Sequence, residues 1–130
     1  MSQYYSVTLK LIVNDGDGFV AAANEKFQDG KHDYAINKWK ERENIKPDTV
    51  NNIIRIMLKG FEVNFYHVTL DENSFVVHIA NFKENDDWAE AMSEFFETIC
   101  PYICNGSCIN IFPDEGTISI TCENGEAKYN

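Results

Sequence analysis

The sequence predicts an α+β domain, a ferredoxin-like split βαβ sandwich of about five mostly antiparallel strands with helices on one face. Three observations predict it. Tyr5, Val7, Leu9, Leu11 and Val13 recur with the period of a half-buried strand. Two later pairs of β-rich segments each flank a polar turn, Asp71-Glu72-Asn73-Ser74 and Pro113-Asp114-Glu115-Gly116. Stripes of apolar residues at helical spacing separate these segments, in the order strand, helix, helix, strand, strand, helix, strand, strand. That order contains a βαββαβ core with an extra helix in the first crossover and an extra C-terminal strand.

The elements follow in turn. After the first strand, Asn14-Asp15-Gly16-Asp17-Gly18 makes a turn, with Asp17 as the cap of a helix over Phe19 to Gln28. Asp15 and Asp17 share the spacing of calcium-loop ligands, but the later acidic ligands are missing, so they read as turn and cap. Residues 31 to 47 carry Lys31, Lys38, Lys40, Arg42 and Lys46 around Tyr34 and Trp39, an amphipathic flap. Pro47-Asp48 leads into a helix from Thr49 to Lys59, with Val50, Ile53, Ile54 and Met57 on one stripe and Gly60 as its stop.

Phe61 to Leu70 and Phe75 to Phe82 form a hairpin in which, if Leu70 faces Phe75, His67 lies opposite His78. Asp86 or Asp87 then caps a helix bearing Trp88, Met92, Phe95, Phe96 and Ile99. Pro101 ends or kinks it. A last hairpin, Cys108 to Phe112 with Thr117 to Cys122, pairs Ile109 with Ile120 and Ile111 with Ile118, and residues 123 to 130 are expected to fray.

Composition sets the class. With 44% apolar and 25% charged residues, and no linker or repeat, residues 1–130 read as a single globular domain able to bury a core without metal or disulfides. The apolar runs fall short of the ~20 residues of a membrane span, and Met1-Ser2-Gln3 does not begin a secretory signal. A cytoplasmic protein with no membrane partner is expected.

The net charge of −10 disfavours direct nucleic-acid binding. It is unevenly spread: residues 60 to 130 hold 13 acidic and 2 basic residues, whereas residues 31 to 59 hold 7 basic and 4 acidic.

Two groups of side chains stand out as candidate sites. Asp86, Asp87, Glu90, Glu94 and Glu97 form an acidic helix start and flank, suited to a basic protein surface, although the helix dipole alone favours acids in a first turn. His67 and His78, if cross-strand neighbours, would set their Cβ atoms roughly 5 Å apart, within reach of one metal ion. A third ligand would have to come from His32 or from another subunit.

Cys100, Cys104, Cys108 and Cys122 lack the tight paired spacing of zinc knuckles and read as reduced, buried small hydrophobes. Cys108 and Cys122 fall on opposite faces of their hairpin, which makes a disulfide between them awkward and leaves other pairings open. No Walker loop, dinucleotide fingerprint, nucleophile elbow or H-E-x-x-H motif is present, so the reading leans away from an enzyme, and no cofactor is expected.

The function expected is therefore a small acidic protein-binding module of the inhibitor or adaptor kind. It would present carboxylates to a basic protein surface, such as one that normally holds nucleic acid. The alternative is a ferredoxin-like homodimer that holds a small ligand or metal on its open sheet face.

Overall fold

The alternation of apolar and polar residues in the first strand decides which side of the sheet becomes the core. In the computed structural model, which describes residues 2–27, 46–57, 65–71 and 74–130, strand β1 spans Ser2–Ile12. Tyr5, Val7, Leu9 and Leu11 are buried, Ser6 and Thr8 are half-buried, and Lys10 is exposed. The remaining strands are β2 (Phe65–Asp71), β3 (Ser74–Asn85), β4 (Cys108–Phe112), β5 (Ile118–Glu123) and β6 (Glu126–Tyr129). They form one six-stranded sheet in the order β2-β3-β1-β4-β5-β6, in which every neighbouring pair is antiparallel. An isolated bridge from Val13 to Ile103 extends β1 by one residue.

Three helices cover the face that carries the odd-numbered residues of β1. Helix α1 is Gly16–Phe27, α2 is Val50–Met57 and α3 is Asp86–Ile99, followed by a 3-10 turn at Cys100–Tyr102. Phe19 and Ala23 of α1, Ile53, Ile54 and Met57 of α2, and Trp88, Met92, Phe95, Phe96 and Ile99 of α3 share one core with Val7, Leu9, Leu11, Ile109, Ile111 and Ile120. Burying side chains of this size stabilises by about 1.5–3 kcal/mol each. Ring contacts set the helix positions: Phe95 meets Phe19 edge-on at 6.1 Å, and Tyr5 meets Trp88 at 5.5 Å. The Trp88 indole donates to the Met57 carbonyl at 3.2 Å, which satisfies a buried N–H and ties α3 to the end of α2.

Local chemistry sets the helix starts. Asp15, not the expected Asp17, caps α1: its Oδ1 accepts from the Gly18 N–H and its carbonyl from the Phe19 N–H, both at 3.0 Å. The helix therefore begins three residues earlier than Phe19. Thr49 caps α2, its Oγ1 accepting from the Asn52 N–H at 3.1 Å. Asn24 of α1 donates to the Pro47 carbonyl at 2.7 Å and so anchors the lead-in to α2.

Two further expectations are corrected. Residues 123 to 130 do not fray, because β6 adds to the edge of β5, pairing Ile120 with Tyr129 and Cys122 with Ala127. Asn124 (φ 52°) and Gly125 (φ 78°) supply the two left-handed residues of a type I′ hairpin turn, whose twist matches that of the flanking strands. The sheet thus has six strands where about five were expected. The hairpin β2–β3 also differs in register, as set out below. The expected pairings Ile109–Ile120 and Ile111–Ile118 are both present. The flap at residues 31 to 47, apart from its last two residues, and the helix stop at Gly60 lie outside the described residues. Among the described residues, no helix is long and apolar enough to cross a membrane.

Close approach explains one glycine. A Cβ at Gly18 would stand 2.5 Å from the Tyr102 ring and 2.6 Å from Asp15 Oδ2, the carboxylate that caps α1. Gly18→Ala should destabilise the fold by about 1–3 kcal/mol through this clash, less about 1 kcal/mol for alanine's better helix propensity. Urea unfolding of the two proteins measures the difference, and an unchanged midpoint would rule the clash out.

Candidate functional site

The even-numbered side of β1 is the surface the helices leave open. Cross-strand register aligns its residues into rows. Thr8 lies opposite His78 of β3 on one side and Asn110 of β4 on the other, and Asn110 lies opposite Ser119 of β5. Side chains link much of this row: Asn110 Nδ2 donates to Thr8 Oγ1 at 3.2 Å, Ser119 Oγ donates to Asn110 Oδ1 at 2.6 Å, and Asn130 Nδ2 donates to Ser119 Oγ at 3.2 Å. Asn130 Nδ2 also lies 3.1 Å from Thr121 Oγ1. These bonds satisfy polar groups along the row without covering the outer face.

Apolar side chains border this polar row. Ser6 lies opposite Phe112, and Lys10 lies opposite Val76 and Cys108. Phe112 is 40% exposed, Val76 39% and Tyr4 55%, and all three project from this side of the sheet. Three of the four large exposed hydrophobic residues among the described ones therefore share one face. The fourth, Tyr129, lies on the helix side.

The acidic helix is arranged differently from a free binding stripe. Glu90, Glu94 and Glu97 share one side of α3 by their spacing. Glu90 is exposed, but Glu94 is half-buried, with Oε2 out of contact with solvent. Glu97 Oε1 accepts a short hydrogen bond from the Tyr129 hydroxyl, which fastens β6 to α3. Asp86 and Asp87 open α3, and their side chains lie outside the described residues. Of the five candidate acids, Glu97 is thus engaged in seating the protein's own last strand, although its side chain stays exposed. The sequence signal for this use was the Tyr129 hydroxyl beyond a type I′ turn, separated from Glu97 by 32 positions.

The expected histidine pair does not form. His67 lies opposite Val77, and His78 lies opposite Tyr66, so the two occupy opposite faces of the pleat. The physical cause is a bulge between Thr69 and Asp71. Asp71 pairs with Ser74 in the expected register, but the extra residue shifts every pair beyond it by one. The cross-strand pairing on which the expected shared metal depended is absent from this register, and the His67 side chain lies outside the described residues. Among the described residues, no three His, Cys, Asp or Glu side chains converge as metal ligands. All four cysteines are free thiols: Cys100 and Cys122 are buried, and Cys104 and Cys108 are half-buried.

No protein-family model, curated protein or solved structure matched this chain.

The contact between Tyr129 and Glu97 has a measurable signature. Burial of its hydroxyl end, followed by the Glu97 hydrogen bond and charge, pushes the Tyr129 phenol up to about 12. The neutral phenol is the form the folded state favours. Its contribution to stability is therefore complete below the unfolded value near pH 10 and is lost as pH rises through about 12. Ultraviolet titration should find a late-titrating tyrosine component that is lost in Tyr129→Phe and shifted toward 10 in Glu97→Gln. A wild-type titration curve unaltered by either substitution would count against the contact.

Proposed function

We propose that this chain is a non-catalytic binding module on a ferredoxin-like split βαβ core, and that its open sheet face binds a second copy of the same chain. The fold part of this reading rests on topology. The first four strands lie in the order 4-1-3-2 with helices in both crossovers, and β5 and β6 extend the sheet beyond β4. The binding part rests on one observation above all, the gathering of Tyr4, Val76 and Phe112 on a single exposed face.

Charge favours a like partner. The molecule carries −10 overall, yet the charged groups that β1, β4, β5 and β6 present on this face are Lys10, Glu123, Glu126 and Lys128, two of each sign. Over these four strands two copies meet balanced charge, whereas a strongly basic partner would find more attraction elsewhere. Size is compatible as well. Six strands about 4.8 Å apart, each contributing about five residues at about 3.3 Å, give a face of roughly 500 Å² in projection. Side-chain relief brings this to the order of the ~800 Å² that each partner buries in a standard interface. The hydrogen-bonded row through Thr8, Asn110 and Ser119 would lie at the centre of such an isologous contact.

A second reading, an inhibitor or adaptor that presents carboxylates to a basic protein, draws on exposed Glu90 and on the excess of acids over residues 60 to 130. It requires a partner whose association weakens steeply with salt and with Glu90→Lys.

Sedimentation equilibrium tests the first reading. The wild type should dimerise reversibly, and Phe112→Asp should weaken the dimer by about 30-fold or more, as replacing a buried aromatic anchor by a charge does. Glu90→Lys, on the opposite side, should leave it unchanged. A wild-type protein that stays monomeric at high concentration, or a dimer indifferent to Phe112→Asp, would overturn the proposal.

A further inference from the structure

The four thiols differ sharply in their surroundings, and two of them are neighbours. Cys100 begins the 3-10 turn at the end of α3, and Cys122 is in β5. Both are fully buried. The Cys122 sulfur lies 3.5 Å from the Cys100 carbonyl oxygen and 3.8 Å from that of Ile103, so it sits directly over the turn that Cys100 opens. The Cys122 thiol thus contacts the backbone of the residue whose own thiol is buried beside it. Cys104 and Cys108, by contrast, are half-buried, and Cys108 belongs to the opposite face of the sheet.

We propose that Cys100 and Cys122 are a redox pair that closes to an intramolecular disulfide by exchange with a low-molecular-weight disulfide such as oxidised glutathione. In the first step one cysteine loses its proton to solvent, and its thiolate attacks a sulfur of the glutathione disulfide. That S–S bond breaks and a glutathione thiolate leaves. In the second step the other cysteine, likewise deprotonated, attacks the protein-bound sulfur and expels the second glutathione thiolate. The two cysteines are oxidised, one glutathione disulfide is reduced, and the two protons released end on the two glutathione thiols.

The structure also gives the pair a gate. Burial, and then the adjacent Cys122, push the Cys100 thiol up to about 12, so the closed protein holds almost no reactive thiolate at neutral pH. Ala127 of β6 pairs with Cys122 and packs against the core, and the only side-chain bond fastening β6 to α3 among those described is Tyr129 to Glu97. A four-residue edge strand is the kind of element whose local opening costs little, and its departure would bring solvent to the thiols. The rate of oxidation is then set by the Tyr129 latch.

The test uses the whole chain with oxidised glutathione at neutral pH. Intact mass should fall by two hydrogen atoms, peptide mapping should find Cys100 linked to Cys122, and a thiol reductant should reverse the change. A Cys104→Ser/Cys108→Ser variant should behave identically, since it keeps the pair and removes the other thiols. Tyr129→Phe should speed the reaction several-fold. The oxidised form, with a loop closed across 22 positions, should melt higher by on the order of 10 °C. A folded protein that stays reduced, that stops at glutathione adducts, or that links any other two cysteines would overturn the proposal. An oxidation rate unchanged in Tyr129→Phe would overturn the gate while leaving the pair.

Discussion

The pairing of β1 on both edges is the constraint on which the rest of this structure depends. As the third strand of six, it exchanges backbone hydrogen bonds with β3 on one side and β4 on the other, which leaves few of its polar backbone groups to be satisfied elsewhere. Its side chains then divide cleanly. Val7, Leu9 and Leu11 meet all three helices, while Ser6, Thr8 and Lys10 form the spine of the outer face. A slip of one residue against either neighbour would bring Lys10 into the core and expose three aliphatic residues, so the register is held by several side chains at once. The open face inherits that rigidity.

Much of this could be read from the sequence wherever one period dominated. The β1 alternation, the α2 stripe through Ile53 and Ile54, and the pairing of Ile109 with Ile120 are each set by apolar residues that have only one way to be buried together. Bulges are a different matter. The residue between Thr69 and Asp71 breaks the one-to-one alignment of β2 with β3, and nothing in Val68-Thr69-Leu70 distinguishes a bulged chain from a straight one. That single residue separates a histidine pair on one face from two histidines on opposite faces.

The last strand was missed for another reason. Glu126-Ala127-Lys128-Tyr129 has no apolar alternation, and it is held by backbone pairing and by the tyrosine hydroxyl. Its sole local signal was Asn124-Gly125, the dipeptide whose backbone preferences suit a tight hairpin. The acidic stripe on α3 was legible as chemistry but not as geometry. Whether Glu97 is left to a partner or seats a strand depends on a contact far away in sequence.

These two corrections bear on each other through β6. The strand lies at the sheet edge, where each added residue gains hydrogen bonds on one side only, and its backbone alone would hold it weakly. Tyr129 reaches α3 on one side of the sheet, while Asn130, just beyond the strand, bonds to Ser119 and Thr121 on the other. The end of the chain is therefore fixed from both faces, and a change at either is felt at the other. Anything that orders the outer row through Asn110 and Ser119 also favours β6 in place, and with it the cover over Cys100 and Cys122. If a second copy occupies the open face as proposed, the same short strand would link that occupation to protection of the buried thiols, with no need for movement in the core between them.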